Sequence, residues 1–161
     1  MEKWTRAFYQ PVLPLGEDGC RVTASREHIA LSKDAAKEGM VLLKNQNQVL
    51  PLPRGSKVAL FGKGTFDYVK GGGGSGDVYV SYTRNLYEGF SQKKESVSVF
   101  EKLADFYREN VKKQYAEGAV PGMTLEPEVP EELLCEAKAF TDTAVITICR
   151  FSGEGWDRKS V

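Results

Sequence analysis

Histidine is nearly absent from this sequence: His28 is the only one among 161 residues. Cysteine is scarce as well, and Cys20, Cys135 and Cys149 are odd in number, widely scattered and in no C-x-x-C pair. A zinc site wants several such ligands at close spacing, so no metal is expected and the thiols are expected to be free. An excess of either charge is also missing, since 22 basic side chains face 22 acidic ones and no run of four or more Lys and Arg occurs. Such a chain has no field to attract a polyanion, which excludes nucleic acid as an expected partner. Long apolar runs are lacking too. Those at 40–43 and 144–146 fall far short of the ~20 residues that span a bilayer, so no membrane partner is expected. The opening stretch MEKWTRAFYQPVLPLGEDG has neither an apolar core of ~7–15 residues nor a small-residue cleavage site, and the expected location is cytoplasmic.

What is present is a globular composition. Hydrophobic residues make up 41% and charged residues 27%, and a chain of this length buries roughly two thirds of its unfolded surface. Residues 1–24 carry Pro11, Pro14, Gly16 and Gly19 without periodicity and read as an N-terminal arm. From Ser25, a plausible N-cap, Ile29, Ala36, Met40 and Leu43 recur on one helical face, predicting a helix to near Asn45. Lys57–Phe61 reads as a buried strand feeding a loop. Ser98 and Glu101 have capping-box spacing, followed by Phe100, Leu103, Tyr107, Val111 and Tyr115 at helical intervals, with Gly118 suited to end the helix. A connection follows at 120–129, and Pro130 opens a helix to about Phe140 that buries Leu133, Ala137 and Phe140. Thr143–Cys149 (TAVITIC) is rich in β-branched residues and reads as a central strand covered on both faces. A third strand is expected near Asp77–Ser81. The order predicts a layered α/β/α sandwich with a mainly parallel sheet, incomplete because typical sheets have about 4–6 strands.

Two segments can carry chemistry. Gly71–Gly76 (GGGGSG) follows the first strand, where ligand loops of open α/β sheets lie. It is no Walker loop, because Asp77 and Val78 follow Gly76 in place of Lys and Ser or Thr, and Asp67 stands where a Rossmann third glycine belongs. The residues leave open a flexible connector, a loop facing a sugar or other neutral ligand, and a nucleotide loop. The second segment, RFSGEGWDR at 150–158, sets Glu154 between two glycines just past a strand, where a carboxylate can project into a cleft. Trp156 can offer an apolar wall that raises the carboxyl pKa, or a face for a sugar ring. The rival reading is a surface turn with Glu154 paired to Arg150 or Arg158.

The run ALSKDAAKEGMVLLKNQNQVLPL at 30–52, the strand KVALFG, the loop GGGGSG with SYTRNLYEGF at 81–90, and RFSGEGWDR occur in order. Together they resemble the second domain of glycoside hydrolase family 3, the β-glucosidase group, over roughly residues 25–160. The resemblance implies a partial α/β sandwich domain over 25–161 and retaining hydrolysis of terminal β-linked glucosyl residues, with no cofactor. It places the acid/base on Glu154 and brings Gly73, Gly74 and Ser75 to the mouth of the sugar pocket, where the residues' own reading sets Trp156 as a face for substrate. Asp157 and Arg158 then support the loop. In the family a TIM-like barrel carries an aspartate nucleophile. No S-D-W-like segment is present here, so the expectation is an N-terminal piece in the reversed domain order, inactive alone. Its expected partners are a β-glucoside or small oligosaccharide, and the barrel domain or another chain covering the sheet. The alternatives are a non-catalytic interaction module and a nucleotide-binding α/β domain.

Overall fold

The computed structural model describes residues 25–71, 74–76, 80 and 82–155. The expected arm at 1–24 and most of the strand expected at Asp77–Ser81 lie outside them. The chain divides into two compact units, Met1–Val49 and Leu50–Val161.

In the first unit, helix α1 spans Arg26–Glu38 and Ser25 caps it, its hydroxyl accepting from the His28 amide at 3.2 Å. The helix ends earlier than the apolar spacing predicts. Gly39 costs about 1 kcal/mol relative to alanine within a helix. The Gly39 amide donates to the Ala35 carbonyl at 3.0 Å and the Met40 amide to that of Lys37 at 3.2 Å, which closes the last turn, and Val41–Leu43 continue outside the helix.

The second unit is built on three parallel strands: β1 (Ser56–Phe61), β2 (Val97–Val99) and β3 (Ala144–Ile146), in the order β2-β1-β3. Residues 56–58 of β1 pair with 97–99, and residues 59–61 pair with 144–146. Successive strand residues point to opposite faces, and Val58, Ala59 and Leu60 are all buried, so β1 is covered on both sides. It is the central strand. β3 is an edge here, with Ile146 72% and Ile148 79% exposed, which corrects the expectation that TAVITIC is central and doubly covered. That apolar run matches a buried strand, but its outer edge meets no further strand among the described residues. A parallel sheet with helices on it is the incomplete α/β sandwich that the sequence predicts.

Three helices pack around this sheet: α2 (Leu86–Ser91), α3 (Glu101–Ala116) and α4 (Glu131–Phe140). Leu103, Tyr107 and Val111 recur every four residues and are buried along one face of α3. Leu103 and Tyr107 cluster with Ala59 of β1 and Ala137 of α4, flanked by Phe61, Phe100 and Leu133. Each fully buried apolar side chain of this size contributes about 1.5–3 kcal/mol. The end of α3 is as predicted: Gly118, at φ 96°, donates to the Tyr115 carbonyl while the Ala119 amide reaches that of Gln114, a Schellman closure.

The start of α3 is different. Ser98 lies within β2 opposite Lys57, and Phe100 precedes the first turn without a side-chain cap. The capping box belongs instead to α2, which the sequence reading missed: Asn85 accepts from the Glu88 amide at 2.8 Å and Glu88 accepts from the Asn85 amide at 3.0 Å. Arg108 of α3 lies over the rings of Tyr87 and Phe66, tying α2 and the turn after β1 to α3. Among the described residues no helix is long and apolar enough to cross a membrane.

Candidate active site

In an open parallel sheet the loops that leave the C-terminal ends of the strands hold the ligand. Here the exits of β1 and β3 are locked together. Thr147 donates both its amide, at 2.8 Å, and its hydroxyl, at 2.9 Å, to the Phe61 carbonyl. Gly62 then turns at φ 95°, and a Cβ on it would lie 2.3 Å from the Thr147 carbonyl oxygen. Only glycine fits both the dihedral and the gap. A cavity of about 370 Å³ opens beside this junction, lined by Gly64, Tyr68, Thr147 and Cys149 among others.

The chain leaving β3 reaches Glu154, and the loop leaving β1 comes back to meet it. The Ser75 amide donates to Glu154 Oε2 at 2.8 Å across 79 residues of sequence. Gly74, at φ 70°, has no room for a side chain: a Cβ there would stand 2.2 Å from Oε2 and 2.5 Å from the Glu154 Cβ. The two motifs singled out in the sequence are therefore one site. The hydrogen bond from the Ser75 amide, then that from its side chain, hold the exposed Glu154 carboxyl below its ordinary pKa. Among the described residues Glu154 forms no ion pair with Arg150. The amide that would cradle a phosphate is already engaged by a carboxylate, which repels phosphate, so the geometry speaks against a nucleotide loop. Gly73, Trp156, Asp157 and Arg158 lie outside the described residues, and so does the ion pair considered for Arg158.

Sequence reasoning missed the best-buried charge among the described residues. Asp67 is fully buried at the turn after β1. It accepts from the Tyr115 hydroxyl at 2.6 Å, the Gly122 amide at 2.5 Å, the Thr124 amide and hydroxyl at 3.2 and 2.5 Å, and Lys63 Nζ at 3.3 Å. Lys63 Nζ also donates to the Gly122 and Thr124 carbonyls. Burial pushes the Asp67 carboxyl up, but the bonds from Thr124, Tyr115, Gly122 and Lys63 outweigh it and hold the pKa below the ordinary value. Tyr115 responds in the opposite sense, its phenol raised by burial and by the Asp67 charge.

The network pins Gly122 and Thr124 beside the site. A Cβ on Gly122 would lie 2.6 Å from the Val69 side chain and 3.2 Å from that of Phe151, three residues before Glu154. The one signal for it in the sequence is a charged residue standing where a Gly-rich phosphate loop would have glycine. Cys135 and Cys149 are free thiols, and burial raises the Cys149 pKa. Among the described residues no three His, Cys, Asp or Glu side chains gather to hold a metal ion.

Residues 40–161 match the model of the glycosyl hydrolase family 3 C-terminal domain. β-Glucosidase A of Butyrivibrio fibrisolvens is 63% identical over 159 residues, a match covering 99% of this chain and 19% of that protein. The structure of β-glucosidase 3B from Thermotoga neapolitana in complex with α-D-glucose superposes with a TM-score of 0.69 at 38% identity, covering 84% of this chain and 19% of that one. A β-glucosidase from Paenibacillus barengoltzii superposes with a TM-score of 0.68 at 32% identity, covering 78% and 14%. The chain thus spans about a fifth or less of these relatives.

Proposed function

The chain belongs to glycosyl hydrolase family 3, and from that premise we propose that it is the acid/base-bearing part of a retaining β-glucosidase acting on a β-glucoside or small oligosaccharide. The observation that supports this reading most is the meeting of Glu154 with the glycine loop at the C-terminal edge of the sheet. A carboxylate fixed by an amide, flanked by glycines and open to solvent on its other side, is built to face something that approaches it.

Retaining hydrolysis uses two carboxyl groups about 5–5.5 Å apart, one attacking the anomeric carbon and one protonating the leaving oxygen. In this reading Glu154 is the second, and the attacking aspartate comes from the barrel domain, outside this chain. In the first step the Glu154 proton passes to the glycosidic oxygen as the carbon–oxygen bond breaks and the glycosyl-aspartate forms. In the second, Glu154 takes a proton from water as that water attacks the intermediate.

The hydrogen bonds from Ser75 favour the charged, basic form of Glu154. The acid step therefore needs the carboxyl raised, and a sugar with the barrel wall expelling water from around it supplies that desolvation. The test is a chimera with this chain in place of the matching segment of β-glucosidase A, assayed with and without Glu154→Ala. The substitution is expected to cost about 10²–10⁴-fold on alkyl glucosides, whose leaving groups need protonation, and far less on dinitrophenyl glucoside. Azide is expected to restore breakdown of the intermediate. Equal losses on both substrates with no azide rescue, or a folded chimera without turnover, would refute the assignment.

A further inference from the structure

The contact between the glycine loop and Glu154 distinguishes the two carboxylate oxygens. Oε2 faces the Ser75 amide at 2.8 Å. An amide N–H only donates, so a proton on Oε2 along that line would meet another proton. We propose that the Gly74–Ser75 pair is a positioning device that assigns the transferable proton to Oε1 and aims that oxygen at the leaving group.

This rests on the reading of Glu154 as acid/base and deepens it. In the first step the Oε1–H bond breaks and the glycosidic oxygen gains the hydrogen; in the second a water O–H bond breaks and Oε1–H forms again. Oε2 keeps its bond to the Ser75 amide throughout. One oxygen is anchored and the other works, so the carboxyl does not need to rotate between steps.

Gly74 is the second half of the device. Its missing side chain is the space that the Glu154 side chain fills, because a Cβ there would lie within 3.0 Å of Oε2, the Cβ and the Cδ of Glu154. Those contacts follow one wall of the side chain from its root to its anchored oxygen. Any larger residue pushes the carboxylate off the amide, and the dihedral of 70° adds strain to the replacement. The requirement is for space at the carboxylate itself, in contrast to Gly155, whose φ is 81° but whose Cβ would meet nothing within 4 Å.

The experiment uses the same chimera with β-glucosidase A, comparing Gly74→Ala, Ser75→Pro and Glu154→Ala on dinitrophenyl and alkyl glucosides. Ser75→Pro removes both Ser75 donors, the amide and the hydroxyl, and adds nothing at position 74; Ser75→Ala removes the hydroxyl alone, and a loss there equal to that of Ser75→Pro would assign the effect to the hydroxyl and overturn the proposal. Gly74→Ala and Ser75→Pro are each expected to lose roughly tenfold or more in kcat on the alkyl glucoside beyond the loss on the aryl one, with KM little changed, as misdirected proton donation demands. Equal losses on both substrates in both loop variants, or a rise in KM alone, would overturn the proposal while Glu154→Ala still discriminates between leaving groups. If Glu154→Ala itself does not discriminate, the acid/base reading falls, and this one with it. Should Gly74→Ala fail to fold, as thermal melting shows, Ser75→Pro decides.

Discussion

Replacing Asp67 by Asn keeps the shape of the side chain and exchanges one acceptor oxygen for a donor. Five donors converge on the two oxygens of Asp67 in a site with no exposure. The hydroxyls of Tyr115 and Thr124 can rotate away from a new NH2 group, but whichever way the amide sits, one backbone N–H, of Gly122 or of Thr124, faces it. A buried donor left unpaired costs about 1–3 kcal/mol, and Lys63 loses its ion-pair partner in a site where breaking a buried pair costs about 3–5 kcal/mol. Lys63 keeps the Gly122 and Thr124 carbonyls, so a total near the lower end, about 4 kcal/mol, is expected, equivalent to about 8–16 °C in Tm for a domain of this size.

The pH dependence follows from the lowered pKa of Asp67. A carboxyl lowered in the folded state contributes its full stability above the unfolded value of about 3.9 and loses it as pH falls through the folded value below that. The gap between parent and variant should therefore be widest at neutral pH and shrink in acid. Urea unfolding at neutral pH and near pH 3, followed by circular dichroism, measures both quantities, and hydrogen exchange should show the Gly122 amide losing protection. A variant within about 0.5 kcal/mol of the parent, the scatter of ordinary surface substitutions, or a deficit that persists undiminished in acid, would refute the reasoning.

The isolated chain is expected to hydrolyse no aryl β-glucoside above background, because covalent catalysis needs an attacking group that this reading puts elsewhere; steady turnover by the purified chain overturns that. Ile146→Lys with Ile148→Lys replaces two exposed side chains, one at the end of β3 and one two residues past it, so apolar dye binding and self-association in sedimentation should fall while stability moves by no more than about 0.5 kcal/mol. Unchanged dye binding would mean that the edge is not the exposed apolar surface.

Local rules were sufficient where the chain answers to its own neighbours. Ser25 capping α1, the apolar face of α3, and Gly118 ending that helix follow from spacing and from backbone freedom that act within a few residues, and all three are seen. The pattern at Lys57–Phe61 likewise needs only its run of apolar residues to read as a buried strand. The run at 30–52, KVALFG, GGGGSG with SYTRNLYEGF, and RFSGEGWDR, taken jointly and in order, also carried the resemblance to the family without any contact between them.

Tertiary structure decided what local patterns share. Asn85-x-x-Glu88 and Ser98-x-x-Glu101 have the same capping spacing, and nothing within either segment says that the second is preceded by a strand; pairing of Ser98 opposite Lys57 settles it. TAVITIC has the composition of a central strand, yet whether it is central depends on a neighbour for its outer edge, which its own residues cannot specify. Asp67 is legible only through Tyr115, Gly122 and Thr124, which lie 48 to 57 residues away. The sequence singled out Glu154 as a carboxylate between glycines, but a backbone amide has no letter of its own. That Ser75 donates to one of its oxygens, and that Gly74 must leave the space for it, emerges only when the ends of β1 and β3 are brought side by side.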